Sequence, residues 1–183
     1  MAKILGVQLK SRKTWEAREG LGCTANIYMD NKKIGTFYDA GDGGCVDINI
    51  DTPEARNELA RRAKKYFEKY PFDTTGLDET KLDGKTFEEK YNFLVDTESF
   101  INEVDALYER EQFWKKQVKK GFKILLVCDY PFFASGPHPY IPMTMYGGKD
   151  PLRNVVNAIS EHKKKWPLLK TKTYANPEDF IIE

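Results

Sequence analysis

Apolar and polar residues alternate with a period of two at the start of the chain. Leu5, Val7 and Leu9 face Gly6, Gln8 and Lys10, which predicts a strand over residues 2–10 with one wet side. The alternation returns at 22–29, with Cys23, Ala25, Ile27 and Met29 together, and at 45–50. Between these runs, Asp30-Asn31-Lys32 carries turn chemistry, and Ile34 to Tyr38 forms the second arm of a hairpin. A second turn, Asp39 to Gly44, is rich in glycine because such turns need positive φ. The first fifty residues therefore predict an antiparallel meander of about four strands.

The period then lengthens to that of a helix. Asp51 or Thr52 suits the N-cap, Pro53 suits the first turn, and Glu54 stands where a capping box would place it. Ala55, Leu59, Ala63, Phe67 and Tyr70 make an apolar stripe that Pro71 ends. Residues 73–85 are polar and turn-rich, a linker or flap. Thr86-Phe87-Glu88-Glu89 is a capping box for a second helix, broken or kinked at Asp96-Thr97. A longer helix follows to about Lys120, with Phe100, Val104, Leu107, Tyr108, Trp114 and Val118 inward and Gly121 as its stop. The continuous apolar run 122–128 predicts a buried strand. After it comes a loop over 130–149, rich in aromatic residues and proline. A last helix opens at Asp150-Pro151, with Leu152, Val155, Val156 and Ile159 inward. The tail from Lys170 is short and partly extended.

These elements define an α+β chain. An N-terminal β-meander packs on a helix, and a mainly helical half follows with one buried strand. The organisation predicted is a subdomain at 1–72, the flap at 73–85 and a second subdomain at 86–183, with room for the whole to pack as one domain.

Composition narrows the function classes. Forty per cent of the 183 residues are apolar, enough for a core without disulfides or metal. No apolar run is long enough to span a membrane, and the first residues are too short an apolar stretch for a secretory signal. Cys23, Cys45 and Cys128 are odd in number and widely spaced, as thiols of a reducing compartment would be, so a cytoplasmic location is expected. Net charge is +1, which argues against a general nucleic-acid coat. The charge is segregated, however. Residues 73–111 carry twelve acids and four bases, whereas 112–128 carry five lysines and no acid.

Candidate chemistry is sparse. Asp39, Asp42 and Asp47 lie on a glycine turn but lack EF-hand spacing. Asp129 follows the buried strand, a position where enzymes often hold an acid, without a second carboxylate at a suggestive spacing. His138 and His162 have no neighbouring acid pattern, and Ser135-Gly136 lacks a nucleophile elbow. No catalytic residue, metal ligand or cofactor is expected. Two surfaces are candidates for a partner. The acidic stretch, with Asp83, Glu88, Glu89 and Glu98, is either a solvated face or an imitation of nucleic-acid charge. The aromatic loop, with Tyr130, Phe132, Phe133 and Tyr140, is either a partner platform or a lid on the core. The lysine clusters at 115–120 and 163–165 are either solvated helix ends or phosphate contacts.

The block Gly20-Leu21-Gly22, Ile27-Tyr28-Met29-Asp30-Asn31-Lys32-Lys33-Ile34-Gly35 and Asp39-Ala40-Gly41-Asp42-Gly43-Gly44 resembles a strand–turn–strand module. That module occurs at the N-terminus of small proteins from phages and mobile elements of Firmicutes. Some of them are type II-A anti-CRISPR proteins. The likeness covers about the first seventy residues and carries no functional residue across. It implies a non-enzymatic inhibitor that binds Cas9 with its guide RNA and blocks DNA targeting or cleavage. Such a role requires neither nucleic-acid contact nor a homodimer, and is compatible with both. The competing classes are an enzyme acting on nucleotides or nucleic acid through Asp129, and a DNA-binding regulator of a mobile element using its basic helix ends.

Overall fold

A computed structural model describes residues 1–18, 20–43, 46–135 and 139–183, with the side chain of Glu88 outside the described part. The chain is α+β. Its described residues gather into two compact units. The first comprises Met1–Pro71, Tyr91–Tyr108 and Ile181–Glu183, and the second comprises Phe72–Lys90 and Glu109–Phe180. The units thus interleave in sequence, and residues 91–108 and 181–183 go with the N-terminal meander.

The first unit is built on a six-stranded sheet. Its strands are β1 (Lys3–Ile4), β2 (Val7–Glu16), β3 (Leu21–Met29), β4 (Lys32–Asp39), β5 (Asp47–Ile50) and the C-terminal Ile181–Ile182. β2 to β5 are the expected antiparallel meander. Asp30 and Asn31 both have positive φ (50° and 68°), the mirror-image turn that matches strand twist in a two-residue hairpin.

The strand predicted over 2–10 is broken. Leu5 (φ 46°) and Gly6 (φ 77°) form a turn that folds β1 back on β2. Leucine is not a turn-former, so the pattern concealed it. The turn is stabilised from outside, since Arg62 donates to the Leu5 carbonyl at 2.6 Å. Gln8, predicted wet, is buried and donates to Asn31 Oδ1 at 3.1 Å. Ile181–Ile182 extends the sheet by pairing parallel to β1.

Helix α1 (Pro53–Lys69) is capped by Thr52, whose Oγ accepts from the Ala55 amide at 3.2 Å, so Glu54 falls one place short of a capping box. Its buried stripe is Leu59, Ala63 and Tyr66. Phe67 is half-buried and Tyr70 exposed, contrary to the predicted stripe, because Tyr66 turns inward against Phe100 with ring centroids 5.5 Å apart. Strand residues Val7, Leu9, Ala25, Ile27 and Phe37 complete this core with Ile101, Val104 and Leu107.

The helix predicted after Thr86 is a single turn, α2 (Phe87–Lys90), although its capping box forms. The Thr86 amide donates to Glu89 Oε2 at 2.7 Å, and the Glu89 amide donates to Thr86 Oγ at 3.2 Å. The long helix α3 (Thr97–Val118) begins at Asp96, which accepts from the Ser99 amide at 2.9 Å. It passes from the first unit to the second at Tyr108–Glu109.

The second unit holds a three-stranded antiparallel sheet. β6 (Phe122–Asp129) lies between β7 (Thr144–Gly147) and β8 (Lys170–Tyr174). β6 is the predicted buried strand, with Leu125, Leu126 and Val127 in the core. β7 arises within the segment read as a loop, since proline on either side hid its four residues. Tyr174 and Phe180 stack at 4.7 Å, and Trp114 tilts against Phe180 at 5.5 Å. Helix α4 (Pro151–Lys165) departs from expectation. Only Val155 is buried, whereas Leu152 and Val156 are 64% and 56% exposed.

Candidate binding surfaces

The aromatic segment after β6 is packed at its base and open at its tip. Phe72 stacks on Phe87 at 5.8 Å, and both meet Phe133 edge-on at 6.0 and 6.1 Å. Phe132 stands edge-on to Phe133 at 5.0 Å. Offset and edge-on pairs of this kind contribute roughly 0.5–1.5 kcal/mol each beyond area burial. The cluster fastens the 72–90 flap to the segment following β6. The flap approaches so closely at Gly76 (φ 85°) that a Cβ there would lie 2.6 Å from the Phe133 carbonyl oxygen. Tyr130 turns away to meet Trp166 edge-on at 6.2 Å. Phe132 remains 60% exposed and Tyr140 91%. Of the four predicted aromatic residues, the structure therefore joins Phe132 and Phe133, gives Tyr130 a separate partner and leaves Tyr140 in solvent. His138 and Gly136 lie outside the described residues.

The acidic run is divided between the two units. Asp83 and Glu89 belong to the second unit, Glu98 to the first, and Glu88 lies on α2 with its side chain outside the described part. Most of these carboxylates take partners within the protein. Asp83 pairs with Lys90, which also donates to the Lys81 carbonyl. Glu89 closes the capping box. Glu98 accepts from the Val46 amide at 3.2 Å. Asp73 meets Lys170 at 2.8 Å. Burial opposes its ionisation, and hydrogen bonds from Lys170 and Thr75 outweigh that, holding the carboxyl below its ordinary value. Asp105 receives the fork of Arg12 at 2.7 and 3.0 Å. Glu111 is fully buried beside Lys115 Nζ at 2.8 Å.

The remaining candidates are local. Asp39 accepts from the Gly41 amide at 2.8 Å, as a turn-forming aspartate does. Asp129 is 3.7 Å from Arg110. The carbonyl of His162 accepts from the Trp166 amide at the end of α4. Cys23 is buried and Cys128 half-buried, with burial and then Asp129 raising the Cys128 thiol. Cys45 lies outside the described residues. Among the described residues, no His, Cys, Asp and Glu gather in a set of three able to hold a metal ion. Likewise no helix there is long and apolar enough to cross a membrane.

Two features escaped the sequence reading. Arg62 reaches Glu58 at 2.8 Å and Asp30 at 2.5 Å besides the Leu5 carbonyl, and its charged partners raise its pKa. At the end of α3, Val118 and Phe122 were expected inside and are each 37% exposed beside a shallow hollow. The five lysines of 112–128, with no acid among them, were the signal that this end faces water. The chain matches no protein-family model, and no match is found among curated proteins or solved structures.

Proposed function

We propose that this chain is a non-catalytic binding protein that engages a protein partner through the aromatic tip of its second unit. The observation that carries this reading is the exposure of Phe132 and Tyr140, 60% and 91%, with Phe132 set edge-on against the packed Phe133. Large aromatic side chains held out on a rigid base bring much contact area at little entropic cost, and they dominate interface energetics. The partner we propose is Cas9 with its guide RNA, the target implied by the resemblance of the N-terminal meander to anti-CRISPR proteins.

The test is titration of the chain into a Cas9 cleavage reaction. A stoichiometric inhibitor suppresses cleavage when its concentration passes that of the effector, with no dependence on incubation as a turnover reaction would show. The double variant Phe132→Ser, Tyr140→Ala should lower the melting temperature by only a few degrees, because Tyr140 is almost wholly in water and Phe132 gives up edge-on contacts with Phe133 and Phe72. It should weaken inhibition by at least about thirtyfold, the effect of losing one strong hot spot of about 2 kcal/mol. Absence of inhibition at any ratio overturns the choice of Cas9. Undiminished inhibition by the double variant overturns the choice of surface.

A further inference from the structure

The second unit has another surface, separate from the aromatic tip. An apolar hollow of about 360 Å³ opens between the end of α3, the start of β6 and Pro151, floored by Trp114, Val118, Phe122 and Ile124. A second hollow of about 440 Å³ adjoins it, sharing Trp114 and Val118 and walled by Lys115, Lys116 and Lys119. The two make one groove with an apolar floor and a basic wall. Lys120 and Lys123 are exposed nearby on the same short stretch, and 112–128 contains no acid.

We infer that this groove docks an acidic amphipathic segment of a partner protein, with an apolar anchor over Val118 and Phe122 and carboxylates against Lys116 and Lys119. The occupant follows from charge and shape. Val118 and Phe122 each expose 37% of their surface on the floor of the hollow, which an apolar anchor would cover. Lys115 is paired with Glu111, while Lys116, Lys119, Lys120 and Lys123 put like charges close together, and a negatively charged ligand relieves that repulsion as the floor supplies affinity. The floor favours a peptide over a nucleic-acid base. Trp114 is only 8% exposed and its ring is engaged by Phe180, so it presents no open face for stacking. Lys115 also holds the buried Glu111, which anchors the basic wall to the core. The inference is independent of the Cas9 proposal, because it rests on a different face and names no partner beyond its chemistry.

The experiment uses the full chain and a fluorescently labelled helical peptide with Leu and Trp at i and i+4 among Glu and Asp. Binding is read by anisotropy at two salt concentrations. The wild type should bind in the micromolar range and more weakly as salt rises. Val118→Asp and, separately, Phe122→Ser should weaken binding by about tenfold or more, each at an exposed position where folding is checked by circular dichroism. Lys116→Glu with Lys119→Glu should weaken it and flatten the salt dependence. Three results overturn the inference. One is absence of peptide binding by the wild type. Another is a loss on lysine reversal with none on Val118→Asp or Phe122→Ser, with a single-stranded oligonucleotide displacing the peptide, which makes the face a nucleic-acid contact. The third is self-association in sedimentation that Val118→Asp abolishes, which gives the groove to a second copy.

Discussion

Replacing Arg12 by alanine should cost about 3–5 kcal/mol of stability, the range for removing one partner of a buried pair. β2 carries a bulge between Lys10 and Lys13, where Ser11 adopts φ 56°. The bulge changes which residues face inward, and Arg12 then meets Asp105 with a two-pronged contact at 2.7 and 3.0 Å. The side chains are only 11% and 15% exposed, which decides between two regimes. An exposed pair would contribute about 0–1 kcal/mol. A pair this shielded leaves Asp105 without its fork when the guanidinium is removed. At roughly 2–4 °C per kcal/mol for a chain of this size, the Arg12→Ala variant should melt roughly 6–20 °C lower. Leucine at both positions should recover part of the loss, because it removes both charges together, although it does not fill the space of the guanidinium. Urea unfolding followed by Trp15, which lies on the same strand against Tyr38, reports this unit. A loss below about 1 kcal/mol for Arg12→Ala, or a double-mutant coupling below about 0.5 kcal/mol, would refute the reasoning and return the pair to the surface class.

Other consequences are more local. Glu58 is held at about 2 instead of 4.5, first by the hydrogen bond from Arg61 and then by that from Arg62, and Asp30 is lowered chiefly by its hydrogen bond from Arg62. A depressed carboxyl stabilises the fold above its unfolded pKa and loses that contribution as pH falls through the folded one. Acid unfolding between about pH 4.5 and 2 should therefore be shallower in Arg62→Met than in the wild type, by an amount that solvent screening keeps small. Gly76→Ala should loosen the flap, since both its φ of 85° and the nearby Phe133 carbonyl reject a Cβ; amide exchange over 73–90 should rise while that of β2 to β4 stays unchanged. Thr86→Ala should cost about 0.5–2 kcal/mol locally and speed proteolysis of the same flap.

Legibility in the sequence followed the strength of each signal. The meander was readable because Cys23, Ala25 and Ile27 alternate against polar neighbours and Asp30-Asn31 carries the turn. α1 and α3 were readable from period and caps. β6 was readable as an unbroken apolar run. The Leu5–Gly6 turn was not, because its stability comes from Arg62, fifty-seven residues away. β7 and the C-terminal strand are too short for any periodicity, and each forms only because a neighbour supplies its hydrogen bonds. On α4, Leu152 and Val156 share the helical pattern of core residues, yet only Val155 faces the sheet, because a helix of this unit buries a narrow stripe. Pattern alone gives the apolar stripe and not the width that the neighbour covers. Of the expected aromatic group only Phe132 and Phe133 come together, and their partners Phe72 and Phe87 were not foreseen.

Those internal partners also decide which surface is the cleaner one to test. Cas9 presents basic channels, so an inhibitor that imitates nucleic acid needs carboxylates facing outward. Here Asp83 is engaged with Lys90, Glu89 with the Thr86 cap, and Glu98 with a backbone amide. Reversing Asp83, Glu89 and Glu98 together would remove a flap pair, a helix cap and a loop contact, so lost inhibition would report lost order as readily as lost contact. Phe132 and Tyr140 carry a smaller burden, being 60% and 91% exposed, with Phe132 held by edge-on contacts to Phe133 and Phe72. An aromatic contact also differs in its response to salt. Charge mimicry predicts inhibition that weakens steeply with ionic strength, whereas burial of aromatic surface predicts a nearly flat response. A flat salt response with loss of inhibition in the Phe132→Ser, Tyr140→Ala variant would assign the contact to the aromatic tip. A steep response that survives that variant would return it to the acidic residues, despite their internal engagements.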